Sequence, residues 1–133
     1  MKITHIYADN GRSRFTDIDI ALAPIGPLLG VSSFRASASI SVKRCTFMSS
    51  PPCVTEQHGA PRRQLVIVLS GELEIETNTG DKRRFRPGDV FLADDGTGGH
   101  ILRTRSDLNT TLVVPVASIP GLPNAPATPE NSD

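Results

Sequence analysis

The segment of residues 64–94 decides the fold, and it reads QLVIVLSGELEIETNTGDKRRFRPGDVFLAD. It opens on an apolar run from Gln64 to Leu69, and the run after it, residues 72–76, alternates polar and apolar side chains with a period of two. Turn residues separate such runs at three places, which are 70–71, 78–81 and 87–89. Short strands divided by regular turns are typical of an all-β sandwich or barrel.

The rest of the chain continues this pattern and lacks the apolar stripe that would predict a helix. Further strands are predicted at Lys2–Ala8, Asp17–Leu22, His100–Thr104 and Thr110–Val116, and either one longer strand or a pair of strands is predicted over Ser37–Met48. Four prolines follow, at positions 120, 123, 126 and 129. Because proline lacks the donor that a sheet needs, the sequence predicts one barrel domain over residues 1–118 and a flexible C-terminal tail over 119–133.

Composition excludes several classes of protein. The 133 residues suffice for one domain, and 14 basic residues balance 14 acidic ones, which argues against a nucleic-acid partner. The longest apolar run, residues 65–69, is too short to cross a membrane. Cys45 and Cys53 are too few for a disulfide framework, so we expect reduced thiols and a cytoplasmic location.

Residues 58–104 resemble the cupin superfamily. The first cupin motif is G-x5-H-x-H-x3,4-E-x6-G, and His58, Ala60, Gln64 and Gly71 stand at its four last positions. The second motif is G-x5-P-x-G-x2-H-x3-N, and it matches, with one residue inserted, the residues Gly88, Asp94, Gly96, His100 and Thr104. The blocks Ala60-Pro61-Arg62-Arg63-Gln64 and Gly98-Gly99-His100 are similar to those of a subgroup of small single-domain cupins.

The resemblance implies a double-stranded β-helix, or jelly-roll, barrel. Small cupins usually pair through their N-terminal strands, so it also implies a homodimer. The fold alone does not give the reaction, because one scaffold hosts many functions.

The resemblance also implies a degenerate metal site. In cupins two histidines and a glutamate of the first motif and a histidine of the second hold the ion, and here His58 and His100 match the first and the last ligand. Ala60 and Gln64 replace the other two, which removes one donor and the carboxylate charge. We therefore expect at most a weak site for Zn, Fe, Mn or Ni on His58, Gln64 and His100; otherwise the two histidines line the pocket.

Strand parity adds Arg62 to the candidate site. If Gln64 points into the barrel, Arg62, Val66 and Val68 do so too, and Leu65 and Ile67 point outward. An inward Arg62 would bind a carboxylate, a phosphate or an enolate oxygen. The alternative is an arginine that reaches the rim and pairs with Asp94 or Asp95.

These residues predict acid–base chemistry on a small molecule. His58 and His100 could serve as base and acid, because imidazole titrates near neutral pH, and Gln64 could donate to a developing oxyanion. The hypothesis is a lyase, isomerase or cyclase acting on a carbonyl or carboxylate compound. The alternatives are a metal-dependent oxygenase and a barrel that binds or senses a small molecule without converting it.

Overall fold

The computed structural model describes residues 1–122, and every regular element in that range is a β-strand. Their bounds are β1 Lys2–Asp9, β2 Arg12–Asp19, β3 Ala23–Pro24, β4 Arg35–Ala36, β5 Thr46–Ser50, β6 Cys53–Val54, β7 Gln64–Ser70, β8 Leu73–Thr77, β9 Lys82–Phe85, β10 Val90–Asp94, β11 His100–Thr104 and β12 Asn109–Pro115. The predicted all-β class is confirmed. No helix in the described part of the chain could span a membrane.

Two sheets form the barrel. The larger has six strands in the order β2-β1-β10-β7-β12-β5, and the smaller has four in the order β6-β11-β8-β9. All pairs are antiparallel except β1 with β10. A separate hairpin consists of β3 and β4, which pair with each other.

The predicted alternation along β7 is confirmed, and it divides the apolar residues into two clusters. Val66 and Val68 belong to the inner cluster, which joins the two sheets and includes Ile75 and Phe91. Leu65 and Ile67 pack instead on the outer face of the larger sheet. This outer apolar cluster is built from Ile3, Ile18, Ile20, Leu92, Val114, Val116 and Ile119. The chain therefore covers part of its own outer sheet face.

The N-terminal hairpin differs from the prediction. Its second strand begins at Arg12 rather than Asp17, directly after a two-residue turn in which Asn10 and Gly11 have φ of 51° and 76°. Such a turn matches the twist of the paired strands. The start of β2 lacks an apolar pattern because Ser13, which is fully buried, is held by hydrogen bonds instead.

Two other predicted boundaries also differ. Instead of the longer strand or pair of strands predicted over 37–48, there is one short strand, Thr46–Ser50, because the residues before it find no partner strand. Ile119 is buried and Leu122 packs against the outer apolar cluster, so the packed chain extends past the predicted boundary after residue 118. The rest of the predicted tail, residues 123–133, lies outside the described residues.

Candidate active site

A cavity of about 200 Å³ lies inside the barrel between the two sheets. Its walls are mostly apolar and include Val66, Ile75, Phe91 and Leu102. Polar side chains are gathered in a smaller set, which consists of Ser49, Ser50, His58, Gln64, His100, Asn109 and Thr111. An apolar cavity with a few convergent polar groups is the usual form of a small-molecule site.

The two predicted histidines meet because their backbones form an antiparallel bridge. His58 N donates to His100 O at 3.0 Å, and His100 N donates to His58 O at 2.8 Å. Side chains of directly opposed residues lie on the same face, and the two ring centroids are 4.6 Å apart. The prediction that His58 and His100 share one pocket is therefore confirmed.

Asp95 holds His100 from behind. Its side chain is fully buried, and Oδ2 accepts a hydrogen bond of 2.6 Å from His100 Nδ1. Its other oxygen, Oδ1, accepts a hydrogen bond of 3.2 Å from the Ala60 amide. A carboxylate on Nδ1 fixes the tautomer of the imidazole and leaves Nε2 as the nitrogen that accepts a proton.

The second imidazole, that of His58, is oriented in a similar way, but its partners are neutral. His58 Nδ1 donates to the backbone oxygen of Glu56 at 2.9 Å, and Thr55 Oγ1 lies 3.5 Å from the same nitrogen. No described residue forms a hydrogen bond with Nε2 of His58 or of His100. His58 is exposed to solvent whereas His100 is buried.

Close backbone packing positions these residues. A Cβ on Gly59 would lie 2.2 Å from the oxygen of Gly96, so only glycine allows the segment before Ala60 to lie against the loop after β10. The loop is held from its other side by Ser13 Oγ, which donates to Gly99 O at 2.6 Å, and by Asn78 Nδ2, which donates to Gly98 O at 2.8 Å.

The donor set does not fit the metal centre that the cupin motifs imply. Gln64 lines the cavity, but Ala60 presents only a methyl group beside it. The described residues contain no group of three or more His, Cys, Asp or Glu side chains that could hold an ion. Two imidazoles and an amide provide neither the ligand number nor the negative charge for tight binding of a divalent cation.

The structure does not bring Arg62 to the cavity. It is absent from the lining residues, and its Nε is buried with no hydrogen-bond partner in the described chain. The alternative pairing of Arg62 with Asp94 or Asp95 is not observed either. Asp95 belongs to His100, and Asp94 binds the neighbouring arginine, Arg63.

Arg63, Asp94 and His5 form a polar group on the opposite face of the larger sheet, which we call the outer cluster. Asp94 Oδ2 accepts from His5 Nε2 at 3.0 Å and from Arg63 Nη2 and Nε at 2.9 and 3.1 Å. Arg63 also donates to the oxygen of Ala117 at 3.3 Å, which ties the segment after β12 to the sheet. Burial by itself raises the pKa of Asp94, but the hydrogen bonds and positive charges of His5 and Arg63 lower it overall.

The sequence reasoning missed Asp95 as a site residue. It lies five positions before His100, at the place of the second motif where cupins have a variable residue, and it was considered only as a partner for Arg62. A short loop rich in glycine between an aspartate and a histidine is compatible with their pairing. That feature could have identified it.

Solved structures of similar fold include several cupins. A Cupin 2 conserved barrel domain protein from Salinispora arenicola is 19% identical, with a TM-score of 0.44, and the match covers 82% of this chain and 78% of that one. A cupin-2 domain protein from Shewanella frigidimarina is 11% identical, with a TM-score of 0.46 and coverage of 72% and 79%. The DMSP lyase DddQ from Ruegeria pomeroyi is 21% identical, with a TM-score of 0.47, and the match covers 80% of this chain but 51% of the lyase.

Likenesses at this level carry no argument about what the present chain binds or converts. A search of the curated proteins found no match. The family itself is shown by a domain model: the EutQ-like cupin domain matches residues 38–114, more than half of the sequence, and the chain belongs to this cupin family.

Proposed function

We propose that this cupin is an enzyme that moves protons on a small carbonyl compound, by isomerase, lyase or cyclase chemistry. The observation that carries the proposal is the buried Asp95–His100 pair, with a 2.6 Å hydrogen bond, in the wall of an otherwise apolar cavity. A histidine oriented by a buried carboxylate is the usual arrangement of a general base.

His100 is the base in this proposal. Its Nδ1–H is engaged by Asp95, so Nε2 takes a proton from the carbon next to the substrate carbonyl. The imidazolium that forms lies against a carboxylate, which stabilises the positive charge.

His58 is the partner acid. Its ring lies 4.6 Å from that of His100, close enough for both Nε2 atoms to reach one small substrate. Unlike His100, it is exposed, so it can recover a proton from solvent after each turnover. In an isomerisation His58 gives its proton to the atom next to the carbon that lost one. In an elimination His58 protonates the leaving group as the carbon–leaving-group bond breaks.

Gln64 is suited to the carbonyl oxygen. Its side chain lines the cavity and makes no hydrogen bond with the described residues, so the amide N–H group can donate to the oxygen that becomes an enolate. The substrate class follows from charge. Among described residues no Lys or Arg lines the cavity, and the Asp95 carboxylate behind His100 would repel an anion, which favours an uncharged carbonyl compound.

The experiment measures proton abstraction directly. The protein is incubated in D₂O with a panel of small uncharged ketones, such as cyclohexanone, and exchange of the protons next to the carbonyl is followed by NMR. We expect exchange to fall at least about a hundredfold in His100→Ala and by a smaller factor in His58→Ala. His5→Gln is the matched control, because this third histidine lies in the outer cluster, away from the cavity.

The same panel separates the enzyme from a binding barrel. A ketone that shifts the His100 resonances without exchanging its protons would favour the non-catalytic alternative. Exchange that is equally fast in the His100→Ala protein would contradict the proposed base. Since the donor set does not fit the family's metal centre, no step is assigned to a metal, and the oxygenase alternative has less support than acid–base chemistry.

A further inference from the structure

The hairpin of β3 and β4 leaves the barrel as an arm, which we define as residues 23–35. All 13 of its residues are exposed. The two strands pair only with each other, and a bridge between Leu28 and Val31 closes the tip. None of the arm residues belongs to either apolar cluster of the described chain.

The arm is nevertheless apolar. Its one charged side chain is Arg35, at the base of the arm, which donates a hydrogen bond to the oxygen of Leu22. Its exposed large apolar residues are Ile25, Leu28, Leu29, Val31 and Phe34. An exposed apolar surface of this kind marks an interaction site, and a single arginine at its base argues against nucleic acid or an ionic ligand as the partner.

The tip of the arm is the least expected part. Leu29 is 92% exposed and has a φ of 51°, followed by Gly30 with a φ of 77°. Asparagine or aspartate normally occupies the first position of such a turn, because a larger side chain is strained there. A leucine that is both strained and exposed is explained if its side chain is buried against another surface.

A matching surface lies at the edge of the larger sheet, on residues 41–49, which we call the open edge; it consists of most of β5 and the segment before it. All nine residues are exposed, and β5 pairs on one side only, with β12. Phe47 and Met48 are exposed by 75% and 54%. An exposed edge strand that carries large apolar side chains, as β5 does, can accept another strand. Met48 also lines the cavity, so one wall of the site is uncovered on this side.

We propose that the arm of a second copy of this chain lies along the open edge and closes the cavity wall at Met48. Twofold symmetry makes the contact reciprocal, so each copy gives its arm and receives the partner's. The two exposed runs together comprise 22 residues per copy, within the roughly 20–30 per side of a stable interface. The dimer thereby completes the site proposed above, although its test does not depend on activity.

The first test is the mass in solution, by size-exclusion chromatography with light scattering. We expect a dimer for the unaltered protein and a monomer for Leu29→Asn. Asparagine suits the backbone at position 29, so this variant keeps its fold, which circular dichroism checks. The control is Leu108→Asn, another exposed leucine in a loop outside both exposed runs. An unaltered monomer, or a dimer that Leu29→Asn leaves intact, overturns the proposal.

The second test reads the cavity wall itself. The chain has two methionines, and Met1 and Met48 are exposed by 62% and 54% in the single copy. With dilute hydrogen peroxide, Met48 should oxidise several-fold more slowly than Met1 in the dimer and at a similar rate in Leu29→Asn. Equal rates in the unaltered protein contradict the proposal. A monomer with protected Met48 also contradicts it, because residues 123–133 of the same chain would then be the cover. A monomer that sediments with phosphatidylcholine vesicles contradicts it too, because a lipid surface would then be the partner.

Discussion

Two neighbouring aspartates, Asp94 and Asp95, bind histidines on opposite sides of the same sheet. On the outer face, the Asp94 carboxylate accepts hydrogen bonds from both His5 and Arg63. Inside, Asp95 binds one imidazole and one backbone amide, with no Arg or Lys among its described partners. Similar residue types therefore occupy two different electrostatic environments.

The difference separates a structural cluster from a chemical one. In the outer cluster Nε2 of His5 is already hydrogen-bonded to Asp94, and Arg63 binds both the same carboxylate and the oxygen of Ala117 after β12. In the inner pair the carboxylate occupies Nδ1 of His100 and leaves Nε2 for a ligand. We expect the outer cluster to control stability and the inner pair to control chemistry.

The largest expected effect comes from adding to the inner site the groups that it lacks. The double substitution Ala60→His with Gln64→Glu supplies a third imidazole and a carboxylate beside His58 and His100. We expect tighter Zn²⁺ binding by about 3 kcal/mol, a little over a hundredfold, because ligand number and negative charge both increase. Isothermal titration calorimetry with Zn²⁺ measures the change.

The matched control for this change is the single substitution Gln64→Glu, which adds charge without the third imidazole. The Zn²⁺ affinity of this single variant should lie between those of the unaltered protein and the double variant. Stoichiometric Fe, Mn, Ni or Zn in the unaltered protein, purified without chelator and measured by elemental analysis, would contradict the prediction of a weak site. The metal-dependent alternative would then gain over metal-free chemistry.

The next effect concerns the tautomer of His100. In Asp95→Asn the side-chain oxygen can still accept from the Ala60 amide, and the new N–H group then faces Nδ1 of His100. We expect the ring to place its proton on Nε2, which abolishes the base and lowers proton exchange by about tenfold to a hundredfold. The ¹⁵N shifts of the His100 ring report the tautomer. A ring that keeps its Nδ1 proton in this variant would contradict the role assigned to Asp95.

The third effect belongs to the outer cluster. Asp94→Asn removes the negative charge that pairs with Arg63, which is only 8% exposed. We expect the free energy of unfolding to fall by about 2 kcal/mol, because a buried cation loses the negative charge that pairs with it. Urea unfolding measures the loss. Asp107→Asn, at an exposed loop position, is the control and should change stability by less than about 0.5 kcal/mol.

The inner face of the barrel could be predicted from sequence because two independent patterns agree there. Alternation along β7 placed Val66 and Val68 inside, and motif spacing paired His58 with His100. Both patterns depend on local geometry, since a strand turns its side chains alternately and a bridge aligns opposed residues. The fold class followed from the same regularity.

The parts that were missed depend on contacts distant in the chain. Arg62 was placed in the pocket by extending the strand parity two residues beyond the start of β7, into a segment that is not a strand. Asp94 and His5 are 89 residues apart and meet because β1 and β10 are parallel neighbours, which no local pattern indicates. Parity therefore holds only where the ladder of hydrogen bonds holds.

The smallest expected effect is the pH dependence that Asp94 gives to stability. Its pKa in the folded protein lies below the ordinary value of 3.8, because His5 and Arg63 outweigh the opposing effect of burial. A carboxylate with a lowered pKa contributes stability above its unfolded pKa and loses that contribution as the pH falls through the folded one. We expect the unaltered protein to have a larger free energy of unfolding than Asp94→Asn at about pH 5 and above, and the measured quantity is the difference between the two. Below about pH 4 it should shrink, since protonated Asp94 and asparagine are both neutral. Urea unfolding at a series of pH values measures this difference. If it stays constant down to pH 3, groups other than Asp94 cause the acid sensitivity, and the outer cluster is held by packing rather than by charge.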